Sequence, residues 1–336
     1  MKTTLCTLLL LVFTSVSFAQ NKVNLPQVKV QGNSFVIAGS NKLIFRGVST
    51  SDPDKLERQG HWDKLYFEEI KKWGANVVRF PVHPTAWRAR GKTAYLKMLD
   101  QGVEWAGELG IYVIIDWHSI GNLKNEMYQS AMYDTSIKET YDFWRTISIH
   151  YKGNNTVAFF ELFNEPTIMQ GQLGTCSWAE WSRLMEECIV IIRANGAEAI
   201  PLVAGFNWAY NLTEVANQPI NAEGIAYVSH PYPQKRNKPW EAQWTQDWGF
   251  VAKKYPLILT EIGFAVAGER GAHVPVISDE SYGEAITKYA DDHGISYVVW
   301  DFDPNWAPTL FTDWNYTPSR QGIFFKKALQ KHSGQK

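Results

Sequence analysis

Two carboxylates stand where a chain could put them to chemical use. Glu165 lies near the end of Val157–Pro166, VAFFELFNEP, and Glu261 lies inside Leu257–Phe264, LILTEIGF. Each follows an apolar run of the kind that suits a strand buried on both faces of a parallel sheet. Proline removes a backbone donor, so the first strand is expected to stop at Pro166. Two facing acids are the minimum equipment for cutting a glycosidic bond. One gives a proton to the leaving oxygen, and the other acts as nucleophile or activates water.

Acids placed this way need a scaffold whose strand ends converge. Eight segments read as strands: Leu43–Ser49, Asn76–Val82, Ile111–His118, Val157–Pro166, Leu202–Phe206, Ile225–Tyr232, Leu257–Phe264 and Ile295–Phe302. Helical patterns fall near 63–73, 93–109, 136–151, 177–194, 240–254, 280–292 and 319–332. In the second of these, Leu96, Leu99, Val103, Ala106 and Leu109 share one face at helical spacing. Gly74, Gly110, Gly153, Gly196 and Gly294 each stand between a helix and the next strand, where a left-handed residue ends a helix cheaply. These connections are short. The strand-to-helix connections at 119–135, 167–177, 233–239, 265–279 and 303–318 are long. The pattern predicts an α/β fold, a (β/α)8 TIM barrel in a single domain, tight on one face and carrying its site on the other. An open doubly wound sheet is the alternative, but RGVSTSD at 46–52 is not a Gly-rich phosphate loop. Residues 27–46 predict a β-hairpin turning at Gly32-Asn33 and covering the bottom of the barrel.

In such a barrel the strand ends share one mouth. Here they offer Arg79, His118, Asn164, Glu165, Trp208, His230, Tyr232, Glu261 and Trp300. Singly, each has an ordinary reading: an ion-pair partner, a satisfied polar group or a core aromatic. Polar residues at that depth cost free energy unless paired, however, and nearly every strand supplies one. Recurrence on one face points to a site.

Six motifs then bear a resemblance to a known family. Val78-Arg79-Phe80-Pro81, Asp116-Trp117-His118, Phe163-Asn164-Glu165-Pro166, Ser229-His230-Pro231-Tyr232, Thr260-Glu261-Ile262-Gly263 and Val299-Trp300 succeed one another at barrel spacing. In this the chain resembles the cellulase-type enzymes of glycoside hydrolase family 5, whose two glutamates sit on strands four and seven. The resemblance covers essentially the whole chain after its first residues. It implies that Glu165 is the general acid/base and Glu261 the nucleophile, with Arg79 holding Glu261 charged and Tyr232 hydrogen-bonding it. Asn164 would contact the 2-hydroxyl of the cleaved sugar, His118 and His230 would line its site and tune the acid, and Trp300 would form the floor beneath it. Trp208 matches a position that stacks the leaving sugar. Asp116 is read as a brace of the barrel interior, and Trp62 as either a further stacking surface or core. The acid's pKa should be raised by burial and by its neighbour, while the nucleophile stays ionised. A retaining mechanism is expected, with the carboxyl groups ~5–5.5 Å apart rather than the ~6.5–9.5 Å of inverting enzymes.

Composition agrees with a soluble enzyme. The 336 residues are 45% hydrophobic and 20% charged, with a net charge of −1, which gives no footing for nucleic acid or an anionic membrane. The chain opens like a secretory signal: Lys2, an apolar run from Leu5 to Phe13, and a small-x-small site at Ser17-Phe18-Ala19. We therefore expect a signal at 1–19, a catalytic domain at 20–336, and a secreted (extracellular or periplasmic) monomer with no cofactor or metal. Cys176 and Cys188 are expected to be free and buried. The expected substrate is a β-linked polysaccharide or oligosaccharide, foremost β-1,4-glucan cut internally. Mannan, xyloglucan, mixed-linkage glucan and exo-acting β-glucosidase activity are alternatives on the same catalytic pair. A non-catalytic binding barrel would lack part of the set, and a metal hydrolase would need clustered His and Asp ligands, whereas His118 and His230 stand on different strands.

Overall fold

The computed structural model describes residues 25–37 and 41–333. Eight parallel strands close into a barrel. We number them β1 (Arg46–Ser49), β2 (Val77–Val82), β3 (Tyr112–Trp117), β4 (Val157–Glu161), β5 (Ile200–Ala204), β6 (Ala226–Val228), β7 (Leu257–Ile262) and β8 (Ser296–Val299). β8 pairs back onto β1 through Tyr297↔Arg46 and Val299↔Val48. Every residue of these strands is buried, because helices cover one face and the barrel interior the other. On β2, Val78, Phe80 and Val82 face the helices, while Val77 joins the interior cluster with Ile114, Phe159 and Ile258. Arg79 shares the parity of Val77 and so points inward.

The helices run at Lys64–Lys72, Lys92–Glu108, Ile137–His150, Trp178–Ala194, Glu241–Asp247, Glu280–His293 and Arg320–Ser333, near the expected places. The pattern at 240–254 splits, its second half forming a 3-10 turn at Gly249–Lys253. Gly74, Gly110, Gly153, Gly196 and Gly294 all have positive φ, between 63° and 95°. The expected hairpin forms with Val30 opposite Phe35, and Asn41–Leu43 adds a third strand. Phe35 packs edge-on against Phe45 and Phe159, with ring centroids 5.5 and 5.1 Å away. It therefore plugs the bottom of the barrel. Leu43 belongs to this sheet and not to β1.

Two irregularities position the acids. β4 ends at Glu161, four residues before Glu165. The Glu165–Pro166 pair instead aligns in parallel with Ile120–Gly121, an extension of the chain beyond β3, in a small three-stranded sheet completed by Met127–Tyr128. The expected strand end at Pro166 is thus two separate strands. On β7 the register slips against β8 between Leu259 and Ile262, so one extra residue is accommodated. Such a bulge re-aims side chains. Thr260 and Glu261, neighbours in sequence, both serve the interior mouth as a result.

Trp62 is core: its indole N–H donates to the Met98 carbonyl at 3.0 Å and its ring meets Phe67 and Phe80. Cys188 is buried and Cys176, in the loop before its helix, is only half-buried, so the expectation of two buried thiols holds for one. Both are free. The signal segment lies outside the described residues. No helix among them is long and apolar enough to cross a membrane.

β1 and β2 approach closely at Gly47, where an added Cβ would lie 1.8 Å from the Val77 carbonyl oxygen. Backbone cannot retreat cheaply there. Gly47→Ala should lower unfolding free energy by about 2 kcal/mol or more, read from the denaturant midpoint. A wild-type midpoint would contradict this account of the β1–β2 contact.

Candidate active site

The site is built around one guanidinium. Arg79 is fully buried on β2, where a lone charge would be prohibitive. It is matched on every side. Nε donates to Glu161 Oε2 at 2.7 Å and NH2 to Glu161 Oε1 at 3.1 Å. NH1 donates to Glu261 Oε1 at 2.9 Å, and NH2 also reaches Asn164 Oδ1 at 2.6 Å and Asp116 Oδ2 at 2.9 Å. Burial alone would depress the Arg79 pKa, but the carboxylates of Asp116, Glu161 and Glu261 more than reverse this, and the net shift is upward. A guanidinium can only donate, so Asn164 must turn its oxygen to Arg79. Its amide nitrogen is buried and has no protein partner among the described residues.

Glu165 is held by the small sheet. Its N–H donates to the Ser119 carbonyl at 3.1 Å, and Thr167 N–H donates to the Gly121 carbonyl at 2.9 Å. The Glu165 carboxyl meets His230 Nδ1 at 3.0 Å through Oε1. Glu261 receives the Tyr232 hydroxyl on Oε2 at 2.8 Å. One carboxyl oxygen from each glutamate and a ring nitrogen of His230 all lie within 4.8 Å of one another. Burial raises the Glu261 pKa, while His230 and Arg79 pull it down, Glu165 pushes it up, and the Tyr232 bond pulls down; the net direction is upward. Burial of Glu261 thus outweighs its two cationic neighbours.

His230 is fully buried, and burial alone would lower its pKa. Glu261, Glu161 and Glu165 reverse that, lifting it from 6.5 to about 9. His118 goes the other way. Burial is the main cause, reinforced by His83, Arg79 and His230, and its pKa falls well below the usual value despite a 2.6 Å contact with Asp116. Burial pushes the Asp116 pKa well up, against the pull of Arg79. The brace expected of Asp116 is visible as this double contact with Arg79 and His118.

The aromatic side chains make two separate sets of contacts. Trp300 lies parallel to His118, at 3° and 5.5 Å between centroids, and to Trp306 at 18°. Trp208 has other neighbours. Its indole N–H donates to Gln129 Oε1 at 2.7 Å, and the Lys235 ammonium lies 4.8 Å from its ring centroid. Asn207, Trp208 and Ala209 all have positive φ, of 62°, 55° and 56°. For non-glycine residues this costs roughly 1–2 kcal/mol apiece. The strained turn is pinned: Lys235 donates to the Asn207 carbonyl at 3.0 Å and His230 N–H to that of Ala209 at 3.0 Å. Strain held this firmly is a mark of functional placement.

Thus all the expected residues lie at the strand-end mouth. Arg79, His118, Asn164, Glu165, His230, Tyr232, Glu261 and Trp300 share one bonded or stacked network, and Trp208 is tied in through the His230 segment. Four further residues were not anticipated. Glu161 and Thr260 lie beneath the pair. The Tyr133 hydroxyl, whose pKa burial and then Glu165 and Glu261 raise, and Lys235 flank it. The parity of the β4 apolar run would have revealed Glu161, since Phe159 and Glu161 share a face. Glu165, His230 and Glu261 also have the spacing of metal ligands.

The His230 shift makes a stability prediction. A raised histidine pKa contributes fully below the unfolded value near 6.5, and its contribution is lost as pH rises through about 9. Over that window the wild type should lose up to about 3 kcal/mol more stability than His230→Gln, measured by denaturation at a series of pH values. Parallel curves would show that the ring is not charged in the fold.

Known proteins place this geometry. The sequence model described as Cellulase (glycosyl hydrolase family 5) matches residues 36–306. An endoglucanase of Paenibacillus polymyxa is 24% identical over 84% of this chain and 82% of its own length. Endoglucanase A of Butyrivibrio fibrisolvens is 27% identical over 82% of this chain and 60% of its own. Among solved structures, β-glucanase SdGluc5_26A from Saccharophagus degradans, in complex with cellotetraose, superposes with a TM-score of 0.92. It is 46% identical, covering 96% of this chain and 98% of that one. With a family match across most of its length and the closed eight-stranded barrel to go with it, this chain is a glycoside hydrolase and belongs to the cellulase family, glycosyl hydrolase family 5.

Proposed function

We propose that the chain is an endo-acting β-1,4-glucanase that cleaves with retention, using Glu165 as general acid/base and Glu261 as nucleophile. The observation that carries this reading is the approach of the two carboxyls. An oxygen of one within 4.8 Å of an oxygen of the other favours a retaining pair, with carboxyl groups ~5–5.5 Å apart, over an inverting one at ~6.5–9.5 Å. The likeness to a β-glucanase in complex with cellotetraose supports β-glucan as the substrate.

The mechanism derives from the contacts. Glu261 attacks the anomeric carbon while Arg79 and Tyr232 steady its charge. Glu165 gives its proton to the departing oxygen and, now a carboxylate, takes one back from the attacking water in the second step, while His230 at 3.0 Å holds its Oε1. The unpartnered Asn164 amide donates to the 2-hydroxyl, a bond that tightens in the transition state. Trp300 and His118 form a flat wall for the cleaved sugar, and Trp208 offers a surface to the leaving one. The apolar run and small-x-small site before Gln20 support export, as polymeric glucan lies outside the cell.

Glu261→Gln, which keeps an oxygen for Arg79, should abolish turnover with folding intact. Glu165→Ala should slow substrates with poor leaving groups by about 10²-fold or more, and activated aryl glycosides far less, because only the former need the proton. Proton NMR of the nascent product should show the β-anomer first, and short oligosaccharides should be released from carboxymethyl cellulose. An α-anomer would reject retention, and equal losses on both substrate types would reject Glu165 as the acid. N-terminal sequencing of the exported enzyme should begin at Gln20; an intact Met1 would reject the leader.

A further inference from the structure

Beneath the two proposed catalytic residues runs a chain of hydrogen bonds whose direction is fixed. The Thr260 hydroxyl donates to Glu161 Oε1 at 2.8 Å. Glu161 is a carboxylate gripped on both oxygens by Arg79, and its pKa shows why it stays charged: burial opposes ionisation, but Arg79 and His230 outweigh it and the net shift is downward. Glu161 can therefore only accept. A hydroxyl has one proton to give, and Thr260 has given it to Glu161. Toward His230 Nε2, 2.9 Å away, Thr260 Oγ1 can only accept. Nε2 must then carry a hydrogen in every charge state of the ring. All four groups are buried, so no water substitutes for these partners at low cost.

We propose that Glu161 and Thr260 are positioning residues that lock His230 as the Nε2–H tautomer, so that Nδ1 is the one nitrogen that gains and loses a proton, and it does so facing Glu165. The proposal rests on the reading of Glu165 as the general acid. In the charged ring, Nδ1–H donates to the Glu165 carboxylate. When the proton moves, the Nδ1–H bond breaks and an O–H bond forms on Glu165 Oε1. The ring goes from +1 to neutral and the carboxyl from −1 to neutral. The protonated carboxyl is then the form that can protonate the leaving oxygen. The opposite tautomer would turn an N–H toward Glu165 in the neutral ring and block this return path. Glu161 thus serves both halves of the pair: through Arg79 it steadies Glu261, and through Thr260 it orients the partner of Glu165. The titratable and charged groups that bear on the ring are Glu161, Glu165, Glu261, Asp116 and His118. None of them offers Nε2 an alternative acceptor as near as Thr260, the Glu161 carboxylate itself standing at 3.7 Å.

The test uses the full enzyme with nitrogen-labelled histidine. On titration to high pH, nitrogen NMR should show His230 losing its proton from Nδ1 alone, with Nε2 protonated throughout. An Nδ1–H neutral tautomer in the wild type would overturn the proposal. Thr260→Val keeps the shape of the side chain and removes the acceptor. It should mix the tautomers and shift the pH profile of kcat/KM. It should lower kcat/KM about tenfold or more on unactivated cello-oligosaccharides but only about threefold or less on a dinitrophenyl β-cellobioside, since the lock acts through the acid. Thr260→Ser should restore all three. An unchanged tautomer and profile in Thr260→Val would overturn the lock. The NMR result stands apart from the assignment of the acid. Full activity in Glu165→Gln would reject that assignment and leave the tautomer lock to be judged on its own spectrum.

Discussion

A buried guanidinium is the constraint on which the rest of this site depends. Arg79 has no access to water, so each of its donors must find an acceptor within the protein. It does so through partners drawn from separate parts of the chain: Asp116 on β3, Glu161 on β4, Asn164 just beyond it, and Glu261 on β7. The arrangement is costly to assemble and costlier to break, since removal of one carboxylate would leave an uncompensated charge in a medium of low dielectric. That dependence gives the site its rigidity. Glu261 is oriented by a partner that has nowhere else to go, and Asn164 is turned with its amide group free for a ligand.

The sequence displayed the architecture well and the depth of the site poorly. The eight strands, the positive-φ glycines that end the helices and the asymmetry of loop lengths are local patterns, and local patterns survive without a structure. The residues at the strand ends were legible because polar groups stand out against apolar runs. Glu161 was not, because it follows Phe159-Phe160 so closely that it read as part of the approach to Asn164-Glu165. Only the pairing of β4 with its neighbours shows that the strand stops there and that the second glutamate belongs to another sheet. Thr260 and Glu261 pose the same difficulty. Strict alternation would send them to opposite faces, and the register slip on β7 that lets both serve the mouth has no signature in composition.

The aromatic residues divide in a way that composition alone could not reveal. Trp73, Trp117, Trp144, Trp181, Trp244 and Trp248 are fully enclosed, and with Trp62 they fill the space between barrel and helices. Trp208, Trp300 and Trp306 stand at the mouth, where a flat face is worth more than the volume behind it. An abundance of tryptophan therefore speaks first to the size of the barrel and only second to its ligand.

The small sheet that seats Glu165 has a consequence for how such an enzyme can diversify. In most barrels the long loops are modular, and one can be lengthened or exchanged while the catalytic groups stay on their strands. Here the segment at 119–135 supplies both a wall of the cleft and the strand against which Glu165 is registered. Any graft that alters this segment to suit a new polymer also moves Glu165. The segments at 265–279 and 303–318 bear on the mouth less directly, through Val276 packed with Tyr232 and Trp306 stacked on Trp300, so a change there disturbs the walls before it disturbs the two glutamates.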